Sequence, residues 1–61
     1  MIFFAVKIND SYLRDRGNGY FEIVAMDKAS VFPDINKAAD MRDRFGEGKI
    51  VRLILKEDDA E

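Results

Sequence analysis

The chain has no cysteine and no histidine among its 61 residues. The first absence rules out a disulfide and a thiolate metal site. The second removes the commonest zinc ligand and the commonest general base. No apolar run approaches the ~20 residues of a membrane-spanning helix, so no membrane contact is expected. The opening Met1-Ile2-Phe3-Phe4-Ala5-Val6 is too short for the apolar part of a signal peptide and lacks a basic stretch. With the missing cysteine, this points to a cytoplasmic protein. Repeats, low-complexity tracts and linkers are missing too. Residues 1–56 read as a single domain, followed by an acidic tail, Glu57-Asp58-Asp59-Ala60-Glu61.

What is present is the composition of a folded protein. Hydrophobic residues make up 48% and aromatics 11%, well above the range of disordered chains. Ten basic residues face twelve acidic ones, for a net charge of −2. That balance makes a nucleic-acid partner an outside reading, because such binders usually carry a strongly positive field. A domain this short buries only about 60% of the surface its unfolded chain exposes. Its remaining routes to stability are an apolar core and oligomerisation.

Alternation predicts a strand over Ile2 to Ile8, with Ile2, Phe4, Val6 and Ile8 on one face. Asn9-Asp10 supplies turn chemistry. Tyr12-Leu13-Arg14 reads as a second strand and Tyr20 to Ala25 as a third. A two-residue turn at Asn9-Asp10 sets Val6 opposite Leu13. A five-residue loop from Asp15 to Gly19 would set Leu13 opposite Phe21. A tight Asn18-Gly19 turn would instead place Asp15 opposite Glu22, two like charges, and the longer loop is preferred on that ground. Met26 to Pro33 is irregular, with Ser30-Val31-Phe32 briefly extended. Asp34 caps a helix over Ile35 to Phe45. Ile35, Ala38, Met41 and Phe45 share its apolar face. Arg42 lies beside them and snorkels its head to water. Asp40 and Arg44 form an i, i+4 pair in the favourable order. Gly46 ends the helix, and Lys49 to Lys56 forms the last strand.

The fold class is therefore α+β: a small three- to four-stranded, mainly antiparallel sheet with one helix on one face, in the order β-β-β-α-β. The covered face is expected to hold Ile2, Phe4, Val6, Ile8, Leu13, Phe21, Ile23, Val51, Leu53 and Leu55, with Val31 and Phe32 plugging one end. The other face then carries Phe3, Ala5, Lys7, Tyr12, Arg14, Tyr20, Glu22, Val24, Ile50, Arg52, Ile54 and Lys56.

No catalytic constellation emerges. Ser11 and Ser30 have no histidine to activate them. Each lysine falls in a turn or beside polar residues, and one helix on a small sheet leaves no deep cleft for a carboxylate pair. The chain is not expected to be an enzyme or to carry a cofactor or metal. Asp15-Arg16-Gly17-Asn18-Gly19 fails the calcium-loop pattern, which needs glycine where Tyr20 stands. Its glycines precede a strand rather than a helix, so it is not a phosphate loop either. Arg16 to Phe21 echoes an RNA-recognition octamer, but Asn18 stands where an aromatic belongs. Asp40, Asp43 and the tail are too dilute in charge to mimic DNA, since Lys37 and Arg44 interrupt them. The feature of weight is the uncovered face. Its apolar and aromatic residues are contiguous across strands, and aromatics and arginine are enriched at interfaces. Phe3, Tyr12, Arg14, Tyr20, Val24, Arg52 and Ile54 are the candidate partner-binding residues. The partner is expected to be a protein, either a host protein or a second copy of the chain.

The layout resembles that of short phage and prophage proteins. The resemblance rests on the leading strand, Tyr12-Leu13, Gly19-Tyr20, the stretch Ala29-Ser30-Val31-Phe32-Pro33-Asp34, Ala38-Ala39 in the helix and the closing strand Ile50 to Leu55. Some small phage proteins of this size block host enzymes by direct binding, and the resemblance implies that mode of action. No residue here matches a defined inhibitor motif. The alternative is single-stranded nucleic acid or another polyanion on the same face, with Lys7, Arg14, Arg52 and Lys56 interleaved among Phe3, Tyr12 and Tyr20.

Overall fold

Strand β1 (Ile2–Ile8) and strand β2 (Ser11–Gly17) are joined by Asn9-Asp10, with Asn9 at φ 54°. The structure is a computed structural model and describes residues 1–54. Leu55 and Lys56, expected in the last strand, and the acidic run 57–61 lie outside the described residues. Strand β3 (Tyr20–Val24) follows, then a single 3₁₀ turn (Met26–Lys28), helix α1 (Ile35–Phe45) and strand β4 (Lys49–Ile54). All neighbouring strands are antiparallel, in the order β3-β2-β1-β4. The architecture is the expected β-β-β-α-β with four strands in one open sheet.

The hairpin pairs Lys7 with Tyr12 and Ile8 with Ser11, and the next residues along, Val6 and Leu13, meet in one buried cluster. With Met41 these two form a core of fully buried side chains. Ile8, Phe21, Phe32 and Phe45 pack around it. Phe45 meets Phe21 edge-on, with ring centroids 5.5 Å apart, an arrangement aromatic quadrupoles favour. The helix begins where Asp34 Oδ1 accepts the Asn36 N–H at 2.9 Å. It ends where the Gly46 N–H donates to the Arg42 carbonyl. Arg44 Nε reaches Asp40 Oδ2 at 3.1 Å.

Two expectations of register need correction. The β2–β3 connection is the tight Asn18-Gly19 turn, with Gly17 opposite Tyr20. Asn18 (φ 53°) and Gly19 (φ 79°) both take positive φ, the geometry whose twist matches a right-handed strand pair. The like-charge clash does not arise, because a bulge between Asp15 and Gly17 shifts the register by one. Asp15 then faces Phe21, Leu13 faces Ile23 rather than Phe21, and Arg14 faces Glu22. Arg16, the extra residue, turns its guanidinium onto Glu22 at 3.4 Å.

The second correction concerns β4. Its ladder to β1 pairs Val6 with Ile50, Phe4 with Arg52 and Ile2 with Ile54. Residues directly opposite share a face, so Ile50, Arg52 and Ile54 lie on the side of the helix. Val51 and Leu53 pair with Ala5 and Phe3 and lie on the other side. The expected faces of this strand are exchanged. The cause is the entry from Gly46-Glu47-Gly48. A Cβ on Gly48 would come within 2.5 Å of Val6 Cγ1 and 2.8 Å of Ile8 Cδ1. Gly48 thus lies against the covered face, and Ile50, two residues on, shares its side.

Candidate functional site

Strands β1 and β2 stay together for only two pairs before they splay. The gap is filled by the stretch before the helix. Ser30 N–H donates to the Leu13 carbonyl at 3.2 Å. Phe4 and Phe32 exchange both backbone bonds, at 2.7 and 2.9 Å. The Asp15 N–H donates to Ser30 Oγ at 2.9 Å. Alternation through this bridge sends Phe32 into the core and Val31 to the opposite side. The expectation that both plug one end therefore holds for Phe32 alone.

Val31, Met26 and Ala29 line one wall of an apolar groove, and Phe3 and Leu53 line the other, with Ile54 and Asp27 at its margin. The groove holds about 490 Å³. Its walls come from the open face and from the stretch that follows β3. Met26 is 53% exposed and Val31 41% exposed, unusual for side chains that sit together.

Of the expected partner-binding residues, Phe3, Tyr12, Arg14, Tyr20 and Val24 share the open face by register. Only Phe3 of these lines the groove. Tyr12 is almost fully buried, and Lys7 Nζ sits 6.0 Å from its ring centroid. Tyr20 is 72% exposed, beside the Asn18-Gly19 turn. Arg52 is on the helix side and is corrected out of the set. Ile54 also belongs to that side but reaches the groove margin from the end of β4. Met26, Ala29, Val31 and Leu53 were not foreseen. The strict polar–apolar order of Ser30-Val31-Phe32 was the available signal, because a short extended stretch must expose every second residue.

The far end of the face is basic. Lys7 stands opposite Lys49, a like-charged cross-strand pair. On the covered side the notable polar group is Asp15. Its carboxyl is held below the usual range, first by the Gly17 N–H and then by the Arg44 guanidinium at 3.2 Å. This knot ties α1 to the bulge. Among the described residues, no group of three or more acidic side chains could hold a metal ion. No helix among them is long and apolar enough to cross a membrane.

Fold and site together define a small α+β domain with one closed and one open sheet face. No family model matches this chain, and neither a curated protein nor a solved structure matches it.

Proposed function

We propose that this domain is a non-catalytic interaction module that takes a protein partner across its open sheet face, with the Phe3–Leu53–Val31 groove as the point of insertion. The observation that carries this reading is the contiguity of that groove with exposed Met26 and Val31. Large exposed apolar patches mark interaction sites, and a pocket filled by one anchor side chain is how such interfaces concentrate their energy. The phage-like layout supports a host protein as the partner, bound in the cytoplasm. The polyanion alternative loses one of its cations, since Arg52 lies on the helix side. The side chain of Glu22 also sits on the open face.

Photo-crosslinking tests the reading. A photoreactive phenylalanine analogue at Phe3 should give a discrete protein adduct in lysate of the source cell. The same analogue at Asn36, on the exposed side of α1, should give none. Equal labelling from both positions, or none from Phe3, would count against the groove. A labelled oligonucleotide that binds at low salt and is released steeply by added salt would favour the polyanion reading instead.

A further inference from the structure

The open face carries two depressions along one strand pair, β1 and β4. The apolar groove includes the pair Phe3 and Leu53. The next pair on the same face is Ala5 with Val51, and the one after it is Lys7 with Lys49. Lys7, Lys49, Asn9 and Val51 line a second depression of about 430 Å³. Val51 therefore joins the apolar end of the track to a basic end. Along β1 the step from Phe3 to Lys7 spans about 13 Å.

The two ends also differ in charge. Asp27 stands at the margin of the groove. At the other end two ammonium groups oppose each other across the strands, an arrangement that weakens the pairing. Arg14, on the same face, stands opposite Glu22, so its charge is met. Among the described residues, neither Lys7 nor Lys49 forms an ion pair. Glu47 borders both lysines from the side of Ile8 and Gly48 without pairing with either. Lys7 Nζ lies 6.0 Å from the Tyr12 ring centroid instead. The basic end is thus a pair of cations whose repulsion an incoming anion relieves.

We infer that the protein partner presents an extended amphipathic segment to this track, with a large apolar side chain for the groove and carboxylates about 13 Å further along for Lys7 and Lys49. This rests on the interaction reading above and specifies the chemistry of the partner. Residues i and i+4 of an extended chain are separated by that same distance, so one short segment reaches both ends. A carboxylate between the lysines gains charge-assisted hydrogen bonds and removes a like-charge repulsion. Asp27 repels the same carboxylates from the groove, so the segment has one favoured orientation, its acidic end over the lysines. A nucleic acid fits the track less well. Its charges recur at every nucleotide and meet Asp27 and the apolar walls as well as the two lysines.

Titrations followed through the backbone amide resonances of the domain test this. The probe is a peptide with a leucine–phenylalanine end, a serine spacer and a diglutamate end. One control replaces the diglutamate by dilysine, and another replaces the leucine–phenylalanine by serines. The probe should move the amides of Phe3, Val31 and Leu53 and those of Lys7 and Lys49 with one dissociation constant. Each control should bind at least about fivefold more weakly. Lys49→Glu turns the like-charged pair into an opposite pair, so its melting temperature should equal or exceed that of the wild type. Its affinity for the probe should nevertheless fall by at least about fivefold, a loss that a merely structural role for Lys49 does not produce. Equal binding of the diglutamate and dilysine peptides, or shifts confined to the groove, overturns the inference and leaves the groove reading in place. Shifts at the lysines alone overturn it in favour of simple anion attraction. Absence of shifts from every peptide also overturns it, and the Phe3 crosslink then decides whether the groove reading falls with it.

Discussion

The two faces of the sheet begin with similar apolar content and end in different states. On the helix side, Val6, Leu13 and Met41 have no exposure at all. On the other side, Ala5 and Tyr12 are buried but Tyr20 stays 72% exposed. The difference lies in what each face was given as a cover. An 11-residue helix with apolar residues at helical spacing can lay a continuous stripe across several strands. The short stretch around Met26 to Phe32 can cover only the gap where β1 and β2 part. Burial of the helix side is therefore complete at its centre, while the expected core residues Ile2, Ile23 and Ile35, and Ile54 at the end of β4, stay about half exposed or more; burial of the other side is partial, with a groove left at the boundary.

That contrast should appear most strongly in substitutions at its extremes. Leu13→Ala empties the centre of the closed face and should cost about 2–5 kcal/mol in urea unfolding. Tyr20→Ala removes a side chain that touches mainly water and should change stability by less than about 0.5 kcal/mol. If the two variants unfold at the same urea concentration, the distinction between the faces collapses.

The next effect concerns the residue that decides which face of β4 is which. Gly48 has φ 123° and its missing Cβ would collide with Val6 and Ile8. Gly48→Ala adds backbone strain and overpacking at once, and about 1–3 kcal/mol of destabilisation is expected. An alanine at Gly46, where nothing lies within 4 Å of the added carbon, isolates the strain alone. Equal melting shifts for the two variants would show that contact with the closed face contributes nothing.

These two residues also show what the sequence could and could not reveal. The helix was legible to the residue because Asp34, the 3–4 spacing of Ala38, Met41 and Phe45, and Gly46 all speak locally. The first hairpin was legible because its two-residue turn dictates its register. The sides of β4 were not. Arg52 makes alternation favour Val51, Leu53 and Leu55 as the inward set, but Ile50 and Ile54 are as apolar as Val51 and Leu53, so that preference is weak and a slip of one residue exchanges the faces. Only the close approach of Gly48 to Val6 overrides it, and that contact spans more than forty positions of chain. The bulge was hidden for a similar reason. Its benefit, Arg14 opposite Glu22 with Arg16 on the same carboxylate, exists only once the strands are paired. Of the candidate site, the β1, β2 and β3 residues of the open face were readable; Leu53 was not, because it depends on the side taken by β4, and the Met26–Val31 wall was not, because it depends on how far β1 and β2 separate.

A smaller effect tests the start of the helix that closes the covered face. Asp34→Ala removes the acceptor for the Asn36 N–H and should cost about 1 kcal/mol. Asp34→Asn, which keeps an oxygen in place, should recover most of the loss in thermal melts. Crosslinking from the photoreactive analogue at Phe3 should be the same in both variants, since the capping residue is not part of the groove.

The smallest effect lies at the rim where the closed face meets the bulge. Asp15 has a folded pKa below its ordinary value of 3.8, chiefly from the Gly17 N–H and secondarily from Arg44. A carboxylate with a depressed folded pKa adds stability above its unfolded pKa and loses that contribution as pH falls through the folded value. The advantage of the wild type over Asp15→Asn should thus be complete near neutral pH and shrink below about pH 4. Because the first cause is a backbone hydrogen bond, most of that advantage should survive about 0.5 M salt, which screens an exposed ion pair. Arg44→Gln separates the two causes. It removes the charge but leaves the Gly17 bond, so the acid limb of the stability curve should move only slightly towards neutral pH. Urea midpoints measured from pH 3 to pH 7 for all three proteins decide the matter. An acid limb unchanged in Asp15→Asn would mean that this carboxylate does not tie the helix to the bulge.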